Sequence, residues 1–575
     1  MNTIDTLSLN TGKQDREIVP IISGKVNVAD YLDKQVELQP SKRAVIVPEG
    51  IGKSGRYRYS HLTYSQLLDR VDHYAHVMTA CGIGFGDRVL VGIKPGFDLV
   101  AVTFSLYKMG AVPVFIDPGM GKAGLLNCIQ QSKAKAMVAE FKAHLVSYLY
   151  RKFFSTVKVF INVGNFSFGK IKSLQKYKND RIPFETVETQ SDDTAAILFT
   201  SGSTGAAKGV VYTHSTFAHQ IKIIRKNYAV TSDDVDMSIF PLFAMFAVSM
   251  GMPTVVPDMD CSKPLSANPG KICRIIHDQG VTFSFGSPTF WDKMAGFCVS
   301  HNVKLPSLRA LLMAGCSVPG DLHQRFLDHL LPPGGDVYVP YGATEALPMT
   351  SFRGTEVLMQ TKDKSDAGAG TCVGRLTSEK LELKIIKIND EPIENWEDSL
   401  ELPDGEIGEI VVKGTVVTRE YFDRPEANAA AKIREGRYIW HRMGDLGYLD
   451  EEGLLWFCGR KVDRVILKDR ELYTDQCENV FNTHPEVKRS ALVAYGNSES
   501  RIAIIIIQPR DKALLKNSEK MKKLEKELLE LAANFQETEK ITHVLFKRAF
   551  PVDVRHNAKI KREILTVWAD SVLNI

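Results

Sequence analysis

Two hydrophobic patterns alternate along most of the chain. In residues 62–82 apolar side chains recur every three to four positions, as in an amphipathic helix, and the pattern ends at Gly82. Short continuous apolar runs, typical of strands buried on both faces, follow such segments. Helix and strand therefore alternate, which predicts an α/β body with largely parallel sheets. The predicted strands are Arg88–Ile93, Val112–Ile116, Ala136–Ala139, Val157–Asn162, Ala195–Phe199, Thr282–Phe285 and Ala310–Met313.

The pattern changes near residue 400. The stretches "GEIGEIVVKG" and "GLLWFCGR" predict antiparallel strands joined by glycine turns. Beyond residue 460, strands at Arg489–Tyr495 and Ile502–Gln508 precede a charged amphipathic helix. At about 150 residues per domain, the length predicts three or four compact units. The apolar face of that last helix carries Leu524, Leu528, Leu531 and Phe535.

Composition narrows the function classes. Of the 575 residues, 44% are hydrophobic, enough for large cores, and 72 basic against 68 acidic residues leave a net charge of only +4. That balance gives no argument for nucleic acid or an anionic membrane as a partner. The nine cysteines include no CxxC pair, so we expect free thiols in a reducing cytoplasm and no zinc site. The uncharged stretch Phe240–Pro257 contains three prolines, which favours a buried helix and strand over a membrane span. We therefore expect that the protein is not an integral membrane protein.

The stretch "LFTSGSTGAAKGV", residues 198–210, has the composition of a phosphate-binding loop. Its glycines allow backbone N–H groups to approach an anion, and its hydroxyls add donors. Ala207 precedes Lys208 and Gly209 follows it, so the loop is not a Walker A motif. A glycine- and serine-rich turn without a ligand is the alternative interpretation.

Four further segments carry polar side chains that alone are typical of turns or solvated surface. They are "YGATE" with Tyr341 and Glu345, "WHRMGDLGYLD" with Asp445, "GRKVD" with Arg460, and "VRHNAKIKRE" with Lys559. With the glycine-rich loop, and in this order, they resemble the adenylate-forming superfamily of acyl-CoA synthetases, peptide-synthetase adenylation domains and luciferases. The resemblance runs from about residue 30 to the C-terminus.

The resemblance implies an architecture and a reaction. It implies a large N-terminal domain, residues 1–462, made of parallel-sheet α/β subdomains plus a small β-barrel-like subdomain. A small, mobile α+β C-terminal domain, residues 463–575, would swing about Asp463. Enzymes of this family join ATP to a carboxylic acid as an acyl-adenylate with Mg²⁺, so ATP and Mg²⁺ are the expected substrate and metal.

The resemblance also implies a role for each motif. The loop would hold the β- and γ-phosphates, Thr344 the α-phosphate, and Glu345 the Mg²⁺. Tyr341 would stack on adenine, whose edge would be read by backbone at 314–316. Lys559, Thr344 and Glu345 are thus the expected catalytic residues, with Glu345 the metal residue. The expected nucleotide-binding residues are Thr200, Ser201, Gly202, Ser203, Thr204, Gly205, Lys208, Gly315, Tyr341, Gly342, Thr344, Asp445 (to the ribose hydroxyls) and Arg460.

Several positions depart from the family pattern. Ala207 and Ala558 stand where the family usually has proline and glycine. Ala244 replaces a histidine or aromatic residue that in typical acyl-CoA synthetases lines the route to the carboxylate. Lys468 and Asp469 align with a Gly-Gly turn along the pantetheine tunnel, where side chains hinder close backbone approach; an alternative turn without functional meaning is the other interpretation.

Within the superfamily, "FPLFAMFAVSMGMPTVVPDMD", "PYGATEALP", "LYTDQCENVFN" and "FPVDVRHNAKIKRE" resemble the β-lactone-forming branch that serves bacterial long-chain olefin synthesis. That resemblance implies activation of a long-chain 2-alkyl-3-hydroxy fatty acid and closure of a β-lactone by its own hydroxyl, in an assembly with other olefin-pathway enzymes. Phe243, Met245, Phe246 and Phe285 would line the apolar pocket, or form plain core. The alternatives are a fatty acyl-CoA ligase, acyl transfer to a carrier-protein thiol, and a non-catalytic nucleotide-binding subunit; the last should have lost Glu345, Asp445 or Lys559.

Overall fold

The computed structural model describes residues 24–176, 182–200, 207–496, 501–553 and 559–573. The strands are β1 Arg43–Ile51, β2 Tyr57–Thr63, β3 Arg88–Gly92, β4 Val112–Ile116, β5 Ala136–Ala139, β6 Val159–Asn162, β7 Ile171–Ser173, β8 Thr194–Thr200, β9 Lys208–Thr213, β10 Thr254–Val255, β11 Phe283–Gly286, β12 Ala310–Met313, β13 Asp336–Ala343, β14 Ala346–Arg353, β15 Thr371–Leu376, β16 Leu381–Ile386, β17 Gly408–Gly414, β18 Lys432–Glu435, β19 Tyr438–Leu449, β20 Leu455–Arg460, β21 Val465–Ile466, β22 Glu471–Leu472, β23 Val487–Tyr495, β24 Ile502–Pro509 and β25 His543–Phe546.

Sixteen α-helical segments connect these strands in the described residues. They are α1 Asp30–Leu38, α2 Tyr64–Ala80, α3 Phe97–Lys108, α4 Gly121–Ser132, α5 Phe141–Leu149, α6 His214–Asn227, α7 Phe243–Met250, α8 Pro269–Gln279, α9 Pro288–Ser300, α10 Gly320–Arg325, α11 Gly354–Glu356, α12 Lys362–Lys364, α13 Pro425–Ala431, α14 Thr474–Asn482, α15 Ser518–Ala532 and α16 Arg562–Leu573.

The first large sheet has seven strands in the order β7-β6-β5-β3-β4-β8-β9. All neighbouring pairs are parallel except β8 and β9, which run antiparallel. Helices cross between the parallel strands, and the N-cap of α2 is Thr63, whose hydroxyl forms a capping box with the Gln66 side chain. The parallel strands therefore present their carboxyl ends along one edge, where ligands of α/β folds bind.

The second large sheet has ten strands and changes character along its length. It begins with the parallel strands β11, β12 and β13 and continues antiparallel through β14, β15, β20, β19, β17 and β16, with β18 beside β19. Its later strands correspond to the expected β-barrel-like part. In the described residues this strand path has two ends, β11 and β16, and no pairing that closes it into a barrel.

Residues beyond 463 form a separate small sheet, β23-β24-β25, with α14, α15 and α16 packed around it. The α/β class and the small α+β C-terminal part are therefore confirmed. In the described residues, no helix has both the length and the apolar character needed to cross a bilayer. All nine cysteines are free thiols.

Candidate functional site

One cavity of about 2110 Å³ brings the predicted site residues together. Its walls come from both large sheets and from the C-terminal part of the chain. Of the predicted site residues, those that line it are Thr200, Lys208, Gly315, Tyr341, Gly342, Thr344, Glu345, Asp445, Arg460 and Lys559.

The ends of the glycine-rich loop are fixed by an antiparallel strand pair. Thr200 is the last residue of β8, Lys208 is the first of β9, and the two are cross-strand partners. Both lie at the cavity, at the carboxyl end of β8 and the start of β9. The loop residues Ser201, Gly202, Ser203, Thr204 and Gly205, and Ala558 near the C-terminus, lie outside the described residues.

Tyr341 and Asp445 form a hydrogen-bonded pair across two strands of the second sheet. The Tyr341 hydroxyl donates to Asp445 Oδ2 at 2.8 Å, and Arg460 lies opposite Asp445 as its partner on β20. Burial raises the pKa of the Asp445 carboxyl, while the charge of Arg460 and the Tyr341 hydrogen bond oppose that rise. Gly342 is required here because a Cβ would lie 2.3 Å from the Ala346 carbonyl oxygen.

The turn between β13 and β14 holds Thr344 and Glu345. The Tyr212 hydroxyl donates to the Thr344 carbonyl oxygen at 2.5 Å, and the Tyr421 hydroxyl donates to Glu345 Oε1 at 2.7 Å. Both donors come from other elements, so the turn is fixed before any ligand arrives. The sequence analysis missed both tyrosines, because a lone tyrosine far along the chain carries no local motif.

The sequence analysis also did not identify a buried lysine whose charge interacts with Glu345 of this turn. Lys432 lies at the start of β18, 7% exposed, and donates to the Thr418 carbonyl oxygen. Burial lowers its pKa to about 7, with the Glu345 charge opposing that shift and the Lys208 charge adding to it. Lys208 itself lies 4.9 Å from the centre of the Tyr421 ring, and burial lowers its pKa too. Both lysines therefore interact electrostatically with Glu345.

Lys559 reaches the same cavity from the C-terminal part of the chain. Its backbone N–H donates to Asp553 Oδ1 at 2.9 Å. Burial raises the pKa of the Asp445 carboxyl and of the Cys316 thiol, and the charge of Lys559 opposes both rises. Gly315, next to Cys316, follows β12 with φ +103°, a conformation that favours glycine.

Aromatic side chains form a continuous wall along one part of the cavity. Tyr212, bonded to Thr344, packs against Phe217 at 4.9 Å between ring centroids, and Phe217 packs against Phe246 at 5.8 Å. Phe243 follows at 5.6 Å from Phe246, and Phe285 at 5.5 Å from Phe243. Met245 also lines the cavity. The wall thus leads from the polar turn into apolar space.

Ala244 does not occupy the place expected for it. It lies on the other face of α7 and lines a small neighbouring cavity with Pro95, Leu99 and Val100, of which Pro95 and Leu99 also line the large cavity. The reason is helical periodicity: Phe243 and Phe246 share the face toward the large cavity, and Ala244 points away from it.

Lys468 and Asp469 form the exposed tip of a hairpin. The hairpin joins β21 to β22, and the Leu467 backbone N–H donates to the Arg470 carbonyl oxygen at 2.9 Å. Asp469 pairs with Lys540 at 3.5 Å. This departure from the family pattern therefore builds a stable turn with charged side chains.

The donor set at Glu345 fits magnesium held mainly by a nucleotide. Mg²⁺ commonly takes one or two carboxylates together with phosphate oxygens and water. Glu345 supplies one carboxylate beside the glycine-rich loop, and the described residues hold no group of three or more His, Cys, Asp or Glu side chains that could bind a metal unaided.

Comparison with known proteins agrees with this geometry. Residues 32–422 match the family model described as AMP-binding enzyme. An olefin β-lactone synthetase of Xanthomonas campestris pv. campestris is 38% identical over 553 residues, covering 94% of this chain and 97% of that protein. The olefin β-lactone synthetase of Stenotrophomonas maltophilia is also 38% identical, over 95% of this chain and 98% of that protein.

Solved structures show the same fold at lower identity. The amide bond synthetase McbA of Marinactinospora thermotolerans matches with a TM-score of 0.77 and 19% identity, covering 94% of this chain and 100% of that chain. The O-succinylbenzoate coenzyme A synthetase of Bacillus subtilis, in complex with AMP, matches with a TM-score of 0.71 and 20% identity, over 93% of this chain and 97% of that one. The chain belongs to the AMP-binding enzyme family, the adenylate-forming ligases.

Proposed function

We propose that this protein activates a long-chain 2-alkyl-3-hydroxy fatty acid with ATP and closes it to a β-lactone, releasing AMP and diphosphate. The observation that carries the proposal is the single cavity that joins the polar residues to an aromatic wall beginning at Tyr212. The names of the two relatives at 38% identity support the product class.

The first step must overcome repulsion between two anions. A carboxylate and a phosphate with unit charges roughly 4 Å apart repel by about 4 kcal/mol at an effective dielectric of 20. We assign to Lys559 the position between the carboxylate and the α-phosphate, and to Thr344 a hydrogen bond to that phosphate. Preorganised charges of this kind act on the negative charge that develops in the transition state.

ATP would bind between the glycine-rich loop and Tyr341. In this arrangement Thr200, Lys208 and the loop hold the β- and γ-phosphates, and Asp445 with Arg460 faces the ribose. Glu345 would hold Mg²⁺ with phosphate oxygens, and the metal when bound neutralises phosphate charge. Tyr421 orients the Glu345 carboxylate for that role.

In the second step the substrate supplies its own nucleophile. The 3-hydroxyl oxygen attacks the acyl carbon, a C–O bond forms, AMP leaves with the electrons of the anhydride bond, and the hydroxyl proton passes to the phosphate of the departing AMP. An internal nucleophile avoids the entropy of binding a second substrate. The aromatic wall excludes water, which would otherwise hydrolyse the adenylate.

The test is product analysis with and without coenzyme A. Purified protein, ATP, Mg²⁺ and a racemic 2-alkyl-3-hydroxy acid should give β-lactone at a rate that coenzyme A does not change. The matched fatty acid without a 3-hydroxyl should give adenylate and no lactone. Rapid formation of acyl-CoA, with no lactone in its absence, would instead establish an ordinary acyl-CoA ligase.

Lys559→Ala provides the internal control. It should lose several kcal/mol of transition-state stabilisation, while ATP binding stays close to that of the unmodified protein. Pyrophosphate release near the normal rate would remove Lys559 from the proposed mechanism.

We also propose that residues 463–575 move as a unit against residues 1–462. Lys559 on one side and Thr344 on the other line the same cavity, so movement of the unit would change the distance between these two residues and the access of ATP to them. Association with other enzymes of the olefin pathway stays a prediction.

A further inference from the structure

Helix α5 shows a reversed distribution of polar and apolar side chains. It buries His144 and Ser147, whereas its exposed face is apolar. The burial is specific, because His144 Nε2 lies 3.0 Å from the Ile161 carbonyl oxygen and the Ser147 hydroxyl donates to the His144 carbonyl oxygen at 2.7 Å. The exposed apolar side chains are Phe141 (47%), Leu145 (53%), Tyr148 (64%) and Leu149 (65%).

The loop after β6 extends this surface. Phe166 and Phe168 are 47% and 71% exposed. The Phe166 ring lies 4.8 Å from that of Phe141 and 6.3 Å from that of Phe168, so loop and helix form one surface. Contiguous exposed apolar patches mark interaction sites in soluble proteins. We call these residues the apolar patch: Phe141, Leu145, Tyr148, Leu149, Phe166 and Phe168.

Basic side chains border the apolar patch. Residues 141–176 contain seven lysines and arginines and no acidic residue. The positive charge of this segment therefore exceeds the net charge of the whole chain, which is +4. Arg151 lies 4.2 Å from the centre of the Tyr148 ring. We call five of the exposed basic residues the basic rim, and none of the five forms an ion pair with a described acidic residue: Lys142, Arg151, Lys152, Lys170 and Lys172.

An anionic lipid surface fits both features. Apolar side chains of an interfacial helix enter the boundary between headgroups and acyl chains, while basic side chains attract anionic headgroups. The aliphatic Leu145 and Leu149 offer no stacking surface to nucleic acid bases, which favours lipid over a nucleic acid. The charge is complementary to acidic phospholipid.

The patch lies at the same sheet edge as the cavity. Phe141 follows the carboxyl end of β5 and Phe166 that of β6, while Thr200, at the carboxyl end of β8 in the same sheet, lines the cavity. Lys94, a cavity residue, pairs with Glu140, the residue before α5, at 3.6 Å. A bilayer bound at the patch would therefore lie beside the cavity.

We propose that the apolar patch and the basic rim bind the surface of an anionic phospholipid bilayer. If the proposed function holds, the bound orientation would let a long-chain acid pass from the bilayer toward the cavity without crossing bulk water. The binding itself requires no substrate, so it can fail or succeed independently of the lactone reaction.

Vesicle co-sedimentation of the full chain tests the proposal. We expect the protein to sediment with vesicles of phosphatidylcholine and phosphatidylglycerol, to bind pure phosphatidylcholine weakly, and to be released by salt. Phe166→Ser/Phe168→Ser and, separately, Lys170→Glu/Lys172→Glu should each weaken the partition coefficient by at least about tenfold.

Matched substitutions elsewhere serve as controls. Met359→Ser removes another exposed apolar side chain, 82% exposed, and Lys523→Glu/Lys526→Glu makes the same charge change on α15. Both should bind vesicles like the unmodified protein. Circular dichroism and ATP binding should be unchanged in all variants, which separates loss of binding from misfolding.

Three results would overturn the proposal. The first is absence of sedimentation with anionic vesicles. The second is equal binding by the patch variants and the controls. The third is a change of oligomeric state in the patch variants without vesicle binding, which would assign the patch to a second copy of this chain. If the unmodified protein binds vesicles but forms no lactone, the proposed function is contradicted and the assignment of the apolar patch is not affected.

Discussion

At the scale of single residues, Glu345 interacts with two side chains that the sequence did not indicate. Tyr421 bonds to its carboxylate, and the buried Lys432 lies within electrostatic range of it. A buried lysine is costly when charged, because burial removes its hydration. The protein keeps it where it can offset an acidic side chain close to expected phosphate charge.

Glu345→Gln should increase the Mg²⁺ concentration needed for half-maximal adenylation and lower the rate by at least about tenfold. The amide still accepts the Tyr421 hydrogen bond but brings no charge to the metal. Tyr421→Phe is the matched control, because it keeps the carboxylate and loses only its orientation, and should have the smaller effect. ATP–pyrophosphate exchange across a magnesium titration gives the comparison, and unchanged activity of Glu345→Gln would remove the metal assignment.

Lys432 predicts a dependence of stability on pH. Its pKa falls on folding from its ordinary value near 10.5 to about 7. The unfolded chain therefore binds more protons between these values, and the free energy of unfolding contributed by this group rises with pH across that window. Below about pH 7 both states are protonated and the penalty for burying the charge is complete.

Urea unfolding of the unmodified protein and of Lys432→Met checks this sign. From near pH 7 to about pH 9 the unmodified protein should gain about 1–3 kcal/mol relative to the variant. Parallel pH profiles for the two proteins would show that Lys432 does not change its protonation on folding.

At the scale of elements, the two faces of α7 have different surroundings. The sequence predicted that Ala244 and Phe243 would both face the substrate cavity, but only Phe243 does. Local patterns predicted β4, β5 and β12 with their observed ends, because continuous apolar runs report burial directly. They could not tell which face of α7 meets the large cavity, since that depends on how the helix packs against distant strands. The same limit hid Tyr212 and Tyr421, whose partners lie far away in sequence.

Substitutions on the two faces of α7 should differ in kind. Phe246→Ala enlarges the cavity and should shift the preferred acyl chain length, with little change in ATP binding. Ala244→Leu overpacks the small cavity beside Pro95 and Val100 and should cost about 1–3 kcal/mol of stability without changing chain-length preference. Competition among acids of graded length, with thermal unfolding measured in parallel, distinguishes them; a changed preference in Ala244→Leu alone would return that position to the substrate route.

At the scale of the whole molecule, α14 of the C-terminal part packs against β20 and residues 365–369, and polar contacts add to this junction. Asp475 on α14 accepts hydrogen bonds from the hydroxyls of Ser317, at 2.9 Å, and Thr371. Arg464 pairs with Asp390 at 2.7 Å. Polar contacts of this kind can break and form again, as the proposed opening of residues 463–575 requires.

Asp475→Ala should loosen this closed arrangement. Because it removes the acceptor of two hydroxyls, we expect faster limited proteolysis near residue 463 and slower adenylation, with the fold of each part retained. Glu519→Ala on the exposed surface of α15 is the control. Proteolysis rates equal to those of the control would show that Asp475 does not hold the two parts together.

Strand β24 has a consequence for the lifetime of the folded protein. Ile504, Ile505, Ile506 and Ile507 are fully buried, and β23 and β25 pair with both edges of the strand. Once released, the uncharged run from Ile502 to Gln508 has the composition of an aggregating segment, so heat-unfolded chains should associate faster than they refold. The half-life of the folded protein at high temperature would then depend on the unfolding barrier. The apparent melting temperature should therefore rise with the heating rate.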